Sequence, residues 1–403
     1  MLRLATSTCS ALFALLLAAS ACSGDDDAPP LDGGGAVGGE DSGGKSGGAG
    51  RGGAANGGSE AGAAPQGGDG ASFGGAGGAG GAEEALGGAL GFAGEPAGAG
   101  GAAPQPDPDL VESSGGPWPD SLTGVCSNGV ALAVCPQVDG PLYGQDGTYR
   151  INVPTYAATM STLTDEVTGL VWQVLPPAQD LTLAEASTYC DELELAGQTD
   201  WRLPTRLEYV SLLDEGRGSG YALPAGMPFD ATGVHWTASP SGVTPGLFFV
   251  VDDAEGTWNV VLDDTAESAR CVRGAALTGV LEAAAGVVTD TMTNLTWQAS
   301  ELDPAPRTWA EALAHCESSS FGGKDDWRLP SIKEIATLVD EAAAAAPVIA
   351  APFGGAERRY WSSTPAAPFL LAPAAFVLDT DFGISMTSSM GETSAARCVR
   401  TAD

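Results

Sequence analysis

The spacing of apolar residues changes several times along this chain, and each change marks a different kind of segment. Residues 11–19 form one unbroken apolar run after the basic Arg3. That run is too short to span a bilayer, which needs about 20 apolar residues, and it reads as the core of an export signal over 1–22. From 23 to 116, Gly and Ala dominate and larger apolar side chains are sparse. Such a segment buries too little to offset the entropy of ordering its backbone, so a disordered stalk is expected. Over about 90 residues a coil of this kind spans roughly 50 Å.

Beyond residue 116 the pattern becomes that of a folded protein. A lead-in over 117–158 holds Cys126 and Cys135, then turn chemistry at Gly144-Gln145-Asp146-Gly147 before the strand-like Ile151-Asn152-Val153. Helices are expected over 183–196 and 309–319, and again over 206–215 and 332–345. A long loop and several short strands follow each pair. Four helix starts carry the same signature, in which a hydroxyl residue caps the helix and a Glu three residues on reaches back to it. They are Thr182/Glu185, Thr205/Glu208, Thr308/Glu311 and Ser331/Glu334.

These elements occur twice because the sequence is duplicated. Thr168-Gly169-Leu170-Val171-Trp172-Gln173 matches Thr293-Asn294-Leu295-Thr296-Trp297-Gln298. Asp200-Trp201-Arg202-Leu203-Pro204-Thr205 matches Asp326-Trp327-Arg328-Leu329-Pro330-Ser331, and Arg270-Cys271-Val272-Arg273 matches Arg397-Cys398-Val399-Arg400. Tandem domains over 159–274 and 286–402 are therefore expected. Trp201, Trp327, Trp236 and Trp361 read as core, and Arg202 and Arg328 as partners of internal carboxylates. His235 and Ala238 stand where the second repeat has Tyr360 and Ser363, which suggests that the first copy drifted toward a scaffold role.

Composition narrows the partners. The formal charge is −34, with only 17 Lys and Arg in 403 residues. No basic stripe exists, so nucleic acid is not an expected partner. Small residues precede Cys22, as in a bacterial lipobox, so Cys22 is a candidate lipidation site and the lipid would be the only membrane contact. Ala19 and Ala21 also fit an ordinary signal-peptidase site, and plain secretion is the alternative. Ser23 resembles the sorting signal that favours the outer membrane, giving a cell-envelope or cell-surface location.

Six cysteines remain after Cys9 and Cys22, an even number that suggests disulfides in an exported chain. If each repeat folds by itself, Cys190 pairs with Cys271, Cys316 with Cys398, and Cys126 is left with Cys135. Each long bridge would contribute about 4 kcal/mol. With two His and no Cys-x-x-Cys, a zinc site is not expected.

Taken together, Thr-Gly-Leu-x-Trp-Gln, the helix cysteine, Trp-Arg-Leu-Pro-Thr-x-x-Glu, Tyr-Trp-Ser-Ser-Thr and the closing Arg-Cys-Val-Arg resemble the Lcl C-terminal domain family, over about residues 140–402. The resemblance implies an α+β fold of two tandem C-type-lectin-like domains, each with two helices and short antiparallel strands. It also implies adhesion through a glycan, sulfated polysaccharides among them, or through another surface component. Tyr221 and Trp258 are candidate sugar-stacking aromatics, and Asp379 and Asp381 candidate polar ligands of the same kind. Asp252, Asp253 and Glu255, near a turn opposite Asp263 and Asp264, are oxygen-rich enough to suggest calcium; no other cofactor is expected. No catalytic residues are read, since His235 and His315 have no counterparts in the other repeat. A relative of the formylglycine-generating enzymes, or a purely structural envelope protein, are the alternatives. The oligomeric state stays open.

Overall fold

The computed structural model describes residues 118–402, except 121–124, 215–222, 224–228, 230–232, 301–304, 355–357, 370 and 371. The signal segment with Cys22, the stalk, and Tyr221 lie outside the described residues.

The lead-in forms a hairpin, β1 (Val125–Ser127) with β2 (Leu132–Val134), closed by the Cys126–Cys135 disulfide. Each repeat then builds two antiparallel sheets. In the first, β3 (Tyr156–Ala158), β4 (Thr162–Asp165) and β5 (Val171–Gln173) pair in order, and β5 pairs with the closing strand β9 (Val272–Arg273). Between them come helix α1 (Leu183–Asp191), helix α2 (Arg206–Ser211) and the meander β6 (Val234–Pro240), β7 (Leu247–Asp252) and β8 (Thr257–Leu262). The second repeat follows the same plan. β10 (Leu281–Ala284), β11 (Val287–Asp290) and β12 (Leu295–Gln298) are closed by β16 (Val399–Thr401). Inside lie α3 (Trp309–Glu317), α4 (Ile332–Ile335) and the meander β13 (Arg359–Phe369), β14 (Ala372–Asp379) and β15 (Ile384–Ser389).

Helix starts fall where the caps place them. Thr182, Thr205 and Ser331 accept from the amides of Glu185, Glu208 and Glu334, whose carboxylates accept from the cap amides. Helix ends come earlier than the pattern predicts. α1 stops at Asp191 rather than 196, because Ala196 and Gly197 take positive φ in a turn that bridges Leu195 to Gln198. The alanine run 342–346 has high helix propensity. It is nevertheless non-helical, since Val339 bridges Ile349, Asp340 caps the amide of Ala342, and Pro347 follows. Past Ile335 only a 3-10 turn, Ala336–Leu338, continues.

The repeated Trp-Arg-Leu-Pro motif is a clasp. Arg202 places two nitrogens on Glu208, at 2.7 and 2.8 Å, and Arg328 does the same to Glu334 at 2.6 and 2.5 Å. The carboxylate that caps the helix therefore also receives the arginine fork. Arg202 exchanges backbone hydrogen bonds with Val272, and Arg328 with Val399, so the motif lies along the closing strand. Arg273 meets Asp200 and Arg400 meets Asp326, both at 2.7 Å. Cys190–Cys271 and Cys316–Cys398 tie α1 and α3 to these same strands.

The disulfides stay within repeats, but the main core does not. Trp172, Tyr209, Phe249 and Trp258 of the first repeat share one buried cluster with Trp297, Ile332, Ile335 and Phe376 of the second. Arg206, wholly buried, donates to Glu341 at 2.8 Å and to the Ala336 carbonyl at 3.0 Å across the seam. Lys333, equally buried, donates to the Leu213 carbonyl at 2.9 Å from the other side. At Gly242 a Cβ would come within 2.5 Å of the Ala343 carbonyl, so only glycine lets the chains approach there.

The lead-in packs on the second repeat. Thr364 donates to Asp146 at 2.8 Å, Lys333 to the Asp120 carbonyl at 3.1 Å, and Tyr149 to Glu317. The Arg328 guanidinium lies 5.2 Å from the Tyr149 ring centre. This cover leaves the Arg328 side chain 7% exposed, whereas its twin Arg202 is 31% exposed. Glu334→Ala, which strands a buried guanidinium, is expected to cost about 3–5 kcal/mol. Glu208→Ala, whose arginine keeps contact with water, should cost about 1–2 kcal/mol. Urea denaturation of both variants checks the order, and equal losses would remove burial of the arginine as the cause.

Candidate functional site

The residues singled out from sequence do not converge. Trp258 is wholly buried at the seam, where its ring nitrogen donates to the Gly383 carbonyl at 2.8 Å and its amide to Ser385 at 2.8 Å. An aromatic face enclosed in that way cannot stack on a sugar, which corrects its reading as an exposed platform. The alternation of its strand sends Trp258 inward because β8 is not an outer edge but lies against β15 of the other repeat.

The acidic residues are engaged in the fold. Asp252 caps its turn, accepting from the amides of Ala254 and Glu255, and Glu255 points to solvent. Asp253 is buried and turns the other way. It accepts from the Gly233 amide at 2.7 Å and from the Tyr209 hydroxyl at 3.1 Å, and it lies 3.0 Å from His235 Nε2. The three therefore do not form the calcium cage that their spacing suggests. Asp379 is buried under Arg359 and accepts from the Asp381 amide, while Asp381 pairs with Arg358 at 2.6 Å. Both carboxylates are thus ion-paired rather than open to a ligand. Among the described residues no group of three or more His, Cys, Asp or Glu is arranged to hold a metal.

A constellation around His235 that the sequence did not suggest lies sealed beneath this region. Arg270 donates to the Tyr209 hydroxyl at 3.3 Å, Tyr209 donates to Asp253, and the Tyr209 and His235 rings are 5.3 Å apart. Burial pushes the His235 imidazole below its ordinary value, against the opposing pull of Asp253. Phe229 lies 4.1 Å over the Arg270 guanidinium. With His235, Asp253 and Tyr209 all closed off from solvent, the network is built to fix the first repeat's core.

An open groove of about 680 Å³ runs along α1. Pro177, Ala178, Leu181 and Ala184 give it an apolar floor, Tyr189 an aromatic wall, and Gln179 and Thr188 uncharged polar groups. Glu185 and Glu192 complete the lining. Tyr189 is positioned by the motif residue Gln173, whose side-chain nitrogen donates to the Tyr189 hydroxyl at 2.6 Å and to the Leu175 carbonyl at 2.7 Å. Gln173 is itself held by the Cys271 amide, beside the disulfide. The second repeat has Ala314, His315 and Ser318 where the first has Thr188, Tyr189 and Glu192. There the matching Gln298 nitrogen is buried without a hydrogen-bond partner. Nothing in the sequence marked Tyr189, since one aromatic on an amphipathic helix is ordinary.

Leu181, one of the lining residues, is bridged to Glu267. The two exchange backbone hydrogen bonds at 2.8 and 3.0 Å. Burial, reinforced by Asp180 and Asp252, pushes the Glu267 carboxyl up from its ordinary 4.5 to about 7. An acid raised in this way supports the fold fully below 4.5 and loses that contribution as pH rises through 7. Glu267→Gln, which fixes the uncharged form, should leave stability unchanged near pH 4. At pH 8 it should raise stability by about 1 kcal/mol once solvent screening is allowed for. Thermal melts at the two pH values check this, and a variant less stable at pH 8 would mean that the charged carboxylate is favourably held.

A family model described as the Lcl C-terminal domain matches residues 161–273 and 286–400. No curated protein matches the chain significantly.

Proposed function

The chain belongs to the Lcl C-terminal domain family, and from that membership and the groove on α1 we propose a non-catalytic binding protein of the cell envelope that recognises a glycan. The observation that carries the reading is Tyr189, an aromatic held in place by Gln173 at the wall of an open, polar-edged groove. Sugars are bound by such a combination, an apolar face against an aromatic ring with side-chain hydrogen bonds around it. The domain plan also supports a C-type-lectin-like arrangement. In each repeat the closing strand pairs with the last strand of the opening meander, two helices lie between them in the chain, and a disulfide joins the first helix to the segment that leads into the closing strand. All six described cysteines are in disulfides, so none of them offers the free thiol that the formylglycine-generating alternative needs.

A glycan array probed with the mature protein, with and without calcium, tests the reading. Binding is expected, and Tyr189→Ala should lower it at least tenfold, the loss of about 1.4 kcal/mol or more, with the melting temperature retained. Absence of binding in either condition would remove the glycan reading. We also propose that Cys22 carries the lipid that anchors the protein. Palmitate labelling should be lost in Cys22→Ala, and labelling that persists would overturn the anchor. Among the described residues no helix is long and apolar enough to cross a membrane.

A further inference from the structure

We propose that the α1 groove recognises the acetamido group of an N-acetylated aminosugar, through a hydroxyl proton that Tyr189 is compelled to offer; this rests on the glycan reading of the same groove. The direction of that proton follows from Gln173. Its side chain is buried, and its amide oxygen and both amide hydrogens are committed. Oε1 accepts from the Cys271 amide at 3.2 Å, while Nε2 donates to the Leu175 carbonyl at 2.7 Å and to the Tyr189 hydroxyl at 2.6 Å. The amide cannot be turned round, because a peptide N–H only donates and a peptide carbonyl only accepts. The Tyr189 oxygen is therefore held as an acceptor, and its one proton is directed away from Gln173. Among the described residues none accepts that proton.

The same amide sets where the donor stands in the groove. Leu175, bonded to the nitrogen that holds Tyr189, opens the stretch that supplies Pro177 and Ala178 to the floor. The hydroxyl thus sits where the aromatic wall meets an apolar surface. An acetamido group matches both features on a single carbon, since its carbonyl oxygen accepts from the hydroxyl while its methyl packs on the floor. A plain sugar hydroxyl accepts the proton but brings no methyl to bury. The carboxylate of an acidic sugar also accepts it, but carries like charge toward Glu192 in the lining, which costs affinity. The neutral carbonyl is the acceptor that the groove takes without that penalty.

The test is calorimetric titration of the mature protein with the trimer of β-1,4-linked N-acetylglucosamine and with the trimer of β-1,4-linked glucose, which differ in the acetamido groups alone. The acetylated trimer should bind about tenfold more tightly, the sum of one hydrogen bond and a buried methyl. Tyr189→Phe keeps the ring and removes the proton. It should weaken the acetylated trimer about fivefold and leave the glucose trimer unchanged, with the melting temperature followed to show that the variant is folded. Equal binding of the two trimers would overturn the proposal while leaving the groove a glycan site. So would a preference that persists in Tyr189→Phe, or a variant that loses both sugars alike. Absence of binding by either trimer would also overturn it, whereas the glycan reading itself falls only if the array is empty as well.

Discussion

The bond on which both repeats depend is the arginine fork onto the helix-capping glutamate. In each copy one carboxylate accepts from the cap amide and from two guanidinium nitrogens of an arginine six residues earlier. Charge assistance and the two-point geometry make such a contact both stronger and more directional than a neutral cap. Pro204 and Pro330 stand between arginine and helix, where proline ends the preceding extended segment. Strand stop, helix start and closing strand are therefore set by nine consecutive residues. The disulfide from α1 or α3 then lands on the same closing strand, so a break in the fork would loosen every element that defines the repeat.

Around that shared clasp the copies diverge where their neighbours differ. The lead-in covers the α3 face, where Leu313 is buried and Glu317 receives Tyr149. The matching positions on α1 are Ser187 and Asp191, both exposed. At the seam the first repeat places Arg206 where the second has Ile332, and the second places Lys333 where the first has Leu207. One cation thus crosses the seam from each side. Both are buried, and each donates to groups of the opposite repeat, which ties the two domains together.

Much of this was legible because it is local. Capping boxes, turn residues and the cysteine pairing forced by duplication depend on short spacings or on a repeat register, and the structure follows them. Trp201 and Trp327 are core for the reason their motif suggests, since they sit against the first helix of their own repeat. What failed was set by contacts distant in sequence. Trp258 looked like an outward aromatic only because the opposing β15 lies over 120 residues away in the chain. The alanine run after residue 341 follows its tertiary bridge rather than its helix propensity. Asp253 was grouped with its neighbours Asp252 and Glu255, yet Gly233, Tyr209 and His235 draw it to the other side. The landing of the lead-in on the second repeat could not be read at all, because no pattern links Asp146 to Thr364.

Divergence also changes what the motif glutamine holds in each copy. His235 in place of a tyrosine made the first repeat look like the scaffold. Its histidine network is indeed a buried support, tying Tyr209 and Arg270 under the meander. On the outer face of α1, Tyr189 is aligned by Gln173. In the second repeat the corresponding helix spends part of its surface on the lead-in, and Gln298 has lost the hydroxyl partner that Gln173 keeps. Of the two copies, the first therefore pairs its motif glutamine with a tyrosine hydroxyl on α1, and the second does not.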